Sequence, residues 1–124
     1  MALDEFVGAV ALEFDGREFD CTSFSVQIAT GRRLVRTMNR SGRAAGFSKG
    51  VTQYDISVTV VIPADGNEPD WESMEGAKLT SEPIAGGQRE SYLGCFTTSV
   101  GASFETDGEA RRTISMHALR KVME

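Results

Sequence analysis

Phe24-Ser25-Val26-Gln27-Ile28 and, beyond residues 29–50, Gln53-Tyr54-Asp55-Ile56-Ser57-Val58-Thr59-Val60-Val61-Ile62 are the stretches whose reading decides the fold. Both alternate apolar with polar residues, the period of a strand with one face in a core and the other in water. Residues 29–50 break that period and contain Gly31, Gly42, Gly46 and Gly50. A connection longer than about 12–15 residues in a compact domain is as a rule either functional or disordered.

Charge sets the same segment apart. The chain has 13 Lys and Arg against 18 Asp and Glu. Six of the cations (Arg32, Arg33, Arg36, Arg40, Arg43 and Lys49) lie between Cys21 and Tyr54, where no acid occurs. The segment is therefore +6, and the remainder, with 7 cations against 18 acids, is −11. Such a body repels a phosphate backbone over most of its surface, whereas a basic arm on one copy complements the acidic body of another. Leu34, Val35, Met38 and Phe47 interleave with the arginines. Arginine beside exposed apolar anchors is the composition of a protein interface, and stacking Tyr or Trp, which favours single-stranded nucleic acid, is absent from the segment.

At 124 residues, 40% hydrophobic and 25% charged, the chain is read as one folded domain, residues 1–124, with residues 29–50 as its basic assembly loop. No apolar run approaches the roughly 18 residues that span a bilayer, and acids stand near the start where a signal peptide is basic, so the expectation is synthesis in the cytoplasm without a membrane anchor. Cys21 and Cys95 have no metal-binding spacing; reduced buried thiols are expected, with a disulfide as the other option.

The local signals predict a mainly β chain. Val10, Leu12 and Phe14 alternate up to Asp15-Gly16, a two-residue hairpin signal, after which residues 17–28 return as a second strand. A third strand covers residues 51–62. Asp70 reads as the N-cap of a short helix through Lys78, with Trp71, Met74 and Ala77 at helical spacing. Residues 79–85, interrupted by Pro83, predict an edge strand. Residues 89–105, with Phe96, Val100, Ala102 and Phe104 on one face with Thr98, hairpin through Asp107-Gly108 into residues 110–122, whose inner face carries Ile114, Met116 and Ala118. The expectation is a small six-stranded antiparallel barrel or sandwich, one helix packed on it, and a long loop between strands 2 and 3.

Catalytic equipment is sparse. His117 is the sole histidine, which limits any histidine-dependent mechanism to one position. Asp65, Glu68, Asp70, Glu72 and Glu75 suggest a calcium loop, but Pro69 stands where an oxygen ligand belongs, and a solvated turn is the simpler reading. Residues 42–50 are glycine-rich with Lys49 and lack the spacing of a phosphate-binding loop. The expectation is no enzyme, no metal and no cofactor. A nucleic-acid-binding barrel using Arg32, Arg33, Arg36, Arg40 and Arg43 is an alternative of another class, as is a small-ligand barrel, for which no convergent polar site is visible.

The order of elements resembles the tail tube proteins of long-tailed bacteriophages: an N-terminal hairpin, a long loop after the second strand, a strand ending in Ile62-Pro63, a lone helix over residues 70–78 and a C-terminal hairpin of long strands, residues 92–105 and 110–122. Residues 78–83 (KLTSEP), 92–100 (YLGCFTTSV) and 104–110 (FETDGEA) resemble such proteins as well. The resemblance spans nearly the whole chain and is architectural. It implies a fold similar to the type VI secretion tube protein, homohexameric rings formed by joining sheets between subunits, and stacked rings that conduct DNA, which is a partner only in transit. It implies further partners among tail proteins (tape measure, baseplate, terminator and, in sheathed tails, the sheath) and a location in the host cytoplasm during assembly and then in the virion tail. The interface residues it implies are Arg32, Arg33, Leu34, Val35, Arg36, Met38, Arg40, Arg43, Phe47 and Lys49. Gln53, Asp55, Ser57, Thr59, Thr97, Ser99, Ser103 and Glu105, opposite the apolar positions of two long strands, are the expected lumen residues. The chain is shorter than many tube proteins and lacks an appended domain, which suits a sheathed contractile or small prophage tail. A type VI-like tube protein and a tail terminator are the alternatives within the class.

Overall fold

The computed structural model describes residues 3–124. Ten strands run in chain order: β1 Val10–Phe14, β2 Arg17–Phe19, β3 Cys21–Ala29, β4 Arg33–Val35, β5 Gly46–Ser48, β6 Gln53–Val61, β7 Ala77–Pro83, β8 Glu90–Ser103, β9 Arg111–Ala118 and β10 Arg120–Met123. All pairings are antiparallel. The main path is β2-β1-β7-β8-β9-β6-β3, with β10 also on β8, while β4 and β5 pair only with each other. The path does not close into a barrel.

The 14-residue β8 explains the architecture. Its first half pairs with β7 and β10, and its second half pairs with β9, so one strand serves two sheets. The strand predicted over residues 17–28 divides in the same way at Asp20: β2 stays on β1 while β3 crosses to β6. Between the sheets lies one core. Leu12, Phe14, Leu79, Tyr92 and Cys95 come from the first sheet; Ile56, Val58, Val60, Ile114, Met116 and Ala118 come from the second. Each fully buried aliphatic side chain is worth about 1.5–3 kcal/mol relative to exposure, which is why the alternation in β6 and β9 holds its register. Asp15 and Gly16 have φ of 53° and 84°, the positive pair that a two-residue hairpin turn requires.

Three expectations are corrected. The helix over residues 70–78 is a single 3-10 turn, Trp71–Ser73, and the Asp70 side chain makes no cap bond. Two isolated helical turns are marginal in water, Gly76 adopts φ +70°, and Ala77 and Lys78 are taken by β7. What fixes the turn is Trp71, which packs edge-on against Phe14 and Phe19 at 5.0 and 5.4 Å. β7 is internal, between β1 and β8; Pro83 is tolerated because it is the last residue of the strand. Finally, β8 is bulged at Thr98, whose hydroxyl donates to Ser115 O at 3.0 Å. The extra residue reverses parity upstream. Phe96 faces outward opposite His117, and Thr97 faces the core opposite Met116.

Candidate assembly site

The second sheet, second half of β8 with β9, β6 and β3, buries one face and exposes the other. Rows of partners cross the exposed face: Ser99, Ser115, Ser57 and Ser25 in one, Gly101, Thr113, Thr59 and Ser23 in the next, Phe96, His117, Asp55 and Gln27 on the other side. Alternation in each strand produces this surface, because the apolar partners of these residues fill the core. Its charges are matched. Asp55 Oδ1 stands 2.6 Å from His117 Nδ1, off the direction of a hydrogen bond, and accepts from Gln53 Nε2 at 2.8 Å. Arg111 pairs with Glu109.

Of the residues expected on one polar strand face, Gln53, Asp55, Ser57 and Thr59 lie together on β6, with Ser99 and Ser103 on β8 two strands away. Thr97 does not belong with them, because the bulge turns it to the core side, and Glu105 lies past the end of β8 in an exposed loop. Ser25, Thr113, Ser115 and His117 were missed. The alternation of Thr113, Ser115 and His117 with Ile114, Met116 and Ala118 was the available signal.

The same sheet has two open edges. Among the described residues β3 pairs only with β6, and residues 98–103 of β8 pair only with β9. Just before that stretch the backbone N–H of Thr97 donates to Met74 O at 3.2 Å, which ends the covered part of the edge. Unpaired strand edges present rows of N–H and C=O groups to another chain.

Residues 29–50 form an arm. β4 and β5 make a short ribbon with Leu34 opposite Phe47, both more than half exposed, and Met38 fully exposed. At the tip the Asn39 side chain donates to Arg43 O at 2.8 Å and accepts from Ser41 Oγ at 2.6 Å and Gly42 N at 3.1 Å. At the root the two arm segments cross at a glycine neck. A Cβ on Gly31, which has φ +79°, would collide with the Val51 backbone, and one on Gly50 would stand 2.7 Å from Gly31 O. Thr52 Oγ1 donates to Thr30 O at 3.2 Å beside it. No residue from 32 to 53 is buried. None of the arm's six cations is in an ion pair among the described residues.

Neither thiol is equipped as a nucleophile. Both are free; burial pushes the Cys95 thiol up to about 11 and raises that of Cys21 as well. Among the described residues no group of three or more His, Cys, Asp or Glu is placed to hold a metal, and no helix is long and apolar enough to cross a membrane.

No family model and no curated protein sequence matches the chain. Solved structures do. A chain of the PVC sheath/tube terminator of an extracellular contractile injection system, in the extended state, is similar at TM-score 0.76 with 18% identity, over 99% of this chain and 99% of that one. A chain of the anti-feeding prophage tube-terminating cap follows at 0.73 and 14%, over 100% and 94%. The SPP1 tail tube is similar at 0.66 and 10%, over 93% of this chain and 76% of that one. At these identities the likeness establishes the fold: it is that of tail tube and terminator proteins of phage and phage-like injection systems, and the neighbours are structural components of assembled particles.

Proposed function

We propose that this chain is a structural subunit of a phage or phage-like tail tube, whose copies join edge to edge into hexameric rings that stack into a conduit for DNA. The observation that carries the reading is the pair of open edges bounding one polar sheet face: β3 on one side, residues 98–103 of β8 on the other. Pairing the first edge of one copy with the second edge of the next is a head-to-tail contact, which closes into a ring when the rotation permits. Four strands about 4.8 Å apart give each copy about 19 Å of arc, so six copies make a barrel with a backbone diameter of roughly 37 Å, widened by strand tilt. The face between the edges then lines the channel, with Ser and Thr hydroxyls that hydrogen-bond water and offer phosphate no unmatched cation. The tape measure, baseplate and sheath are the partners this role implies, and the tail of the particle is its place.

A terminator is the second reading, favoured by the likeness to chains of a tube terminator and a terminating cap. Negative-stain electron microscopy of the purified protein at rising concentration separates the two. Long tubes are expected of a tube subunit, rings that do not elongate of a terminator, and a monomer at millimolar concentration would overturn both. The alternative of another class, nucleic-acid binding through the arm, predicts tight DNA binding that weakens steeply with salt.

A further inference from the structure

The arm's cations find no ion-pair partner among the described residues, and of the twelve acids that likewise make no ion pair, five lie together. The ion pairs among the described residues use Glu13, Asp55, Glu68, Glu90, Glu109 and Glu124. Glu18, Asp20, Asp65, Asp70 and Glu72 are exposed, form no ion pair, and line two adjoining clefts that share Glu68 and Trp71. The first cleft holds about 200 Å³. In its wall lies Trp71, 4% exposed, with an indole N–H that is buried and has no acceptor. An indole N–H is a donor only and is normally satisfied when buried.

Position excludes the chain's own arm. The arm leaves the sheet where Ala29 pairs with Gln53, and the clefts sit at the other end of the same hairpin, where Val61 N donates to Asp20 O at 3.3 Å. Eight residue steps of β6 separate these ends, about 27 Å of extended chain. The arm and the clefts therefore face opposite ways along the strand direction, at right angles to the lateral edge pairing.

We infer that these clefts are the socket for the arm of a second copy stacked along the strand axis, with Arg36, Arg40 and Arg43 against the free carboxylates and an arm carbonyl on the Trp71 indole. The inference rests on the tube reading and names the receiving surface it needs. Arm in socket, repeated, is a heterologous contact that does not close, the kind that makes a filament. Five carboxylates outweigh the one unpaired cation of the clefts, Arg17, whose guanidinium lies over Phe19 and donates to Asn67 O, so the socket keeps a net negative charge for the arm's six cations.

The test uses full-length protein with Glu18→Lys, Asp20→Lys and Glu72→Lys together, three exposed side chains without hydrogen-bond partners in the monomer. This variant should fold, form single rings, and need about tenfold or more higher concentration to elongate. Adding Arg36→Glu, Arg40→Glu and Arg43→Glu to the same chain should restore elongation in large part, since three charges are then reversed on each side of the contact. Tubes from the socket variant at wild-type concentration, or failure of the combined chain to recover while the arm variant alone elongates, would overturn the socket and leave the tube reading standing. Absence of rings and tubes in the wild type would overturn the tube reading. In that event salt-sensitive self-association that the socket variant lacks and the combined chain regains would still uphold the arm-to-socket contact, and equal association of all three would overturn it.

Discussion

Asp55 on β6 and His117 on β9 face each other across a strand pair on the polar side of the sheet, 2.6 Å apart, two residues from the row of four serines. Their pairing leaves this part of the face without a free cation. Replacing Asp55, on that face, by Lys creates an unmatched cation there. The fold should survive, with a thermal midpoint within about 3 °C of wild type, because exposed charges contribute little to stability. DNA release from assembled particles should slow as phosphate gains a counter-charge. Equal release rates would take Asp55 off the channel wall.

The arm is separable from the core. Replacing residues 33–47 by a short Gly-Ser linker removes no buried side chain, so the midpoint of the monomer should move by no more than about 3 °C, while tube formation should be lost. A variant that fails to fold, or one that still makes long tubes, would contradict that division.

Edge pairing should be visible amide by amide. In the monomer, alternate N–H groups of β3 and of residues 98–103 point away from any partner strand and should exchange rapidly with solvent. In assembled tubes the same amides should become protected by orders of magnitude, whereas those of β6 and β9, already paired on both sides, should change little. Exchange that is unaltered on assembly would require another mode of association.

Gly31 should be the most sensitive position of the neck. Gly31→Ala combines a left-handed backbone, worth about 1–2 kcal/mol for a residue with a Cβ, with collision against Val51. Gly16→Ala has a comparable φ, +84°, but nothing within 4 Å of an added Cβ. Assembly should fall sharply for the first and little for the second, measured as the concentration at which rings appear. Equal effects would mean that strain alone matters and that the crossing does not orient the arm.

Cys95 should resist alkylation at pH 8 until the chain unfolds, since burial holds its thiol near 11 and keeps it protonated. The sign of the linkage follows. The folded state favours the neutral thiol, so its contribution is intact below the ordinary value of 9.0 and is lost as pH rises toward about 11. The thermal midpoint should accordingly fall over that interval by more in wild type than in Cys95→Ala. Rapid labelling of Cys95 in the native monomer at pH 8 would contradict its place in the core.

The sequence made the sheet geometry legible where alternation was uninterrupted. Ile56, Val58 and Val60 on β6 and Ile114, Met116 and Ala118 on β9 face the core as their spacing predicts, and Asp15-Gly16 makes its turn. Parity failed at Thr98, because a bulge adds one residue without a compositional mark and exchanged the faces of Phe96 and Thr97. The acids and Asp70 before Trp71 looked like a helix start, yet the same residues suit a turn, and the aromatic contacts of Trp71 with Phe14 and Phe19 come from distant sequence. The division at Asp20 was equally hidden, since both halves of residues 17–28 are strands and only the choice of partner differs. The arm was legible from charge and glycine content; the ribbon within it was not, because strands of three residues leave no period to read.

The glycine crossing has a consequence for engineering. Since both segments of the arm meet the body at Gly31 and Gly50 and nothing between residues 32 and 50 is buried, the arm should be exchangeable as a cassette. A foreign sequence ending in the same two glycines should leave the body's folding untouched while rewriting whom it recruits. Two such chains, expressed in one cell with mutually repulsive cassettes, would grow side by side as separate polymers, each blind to the other.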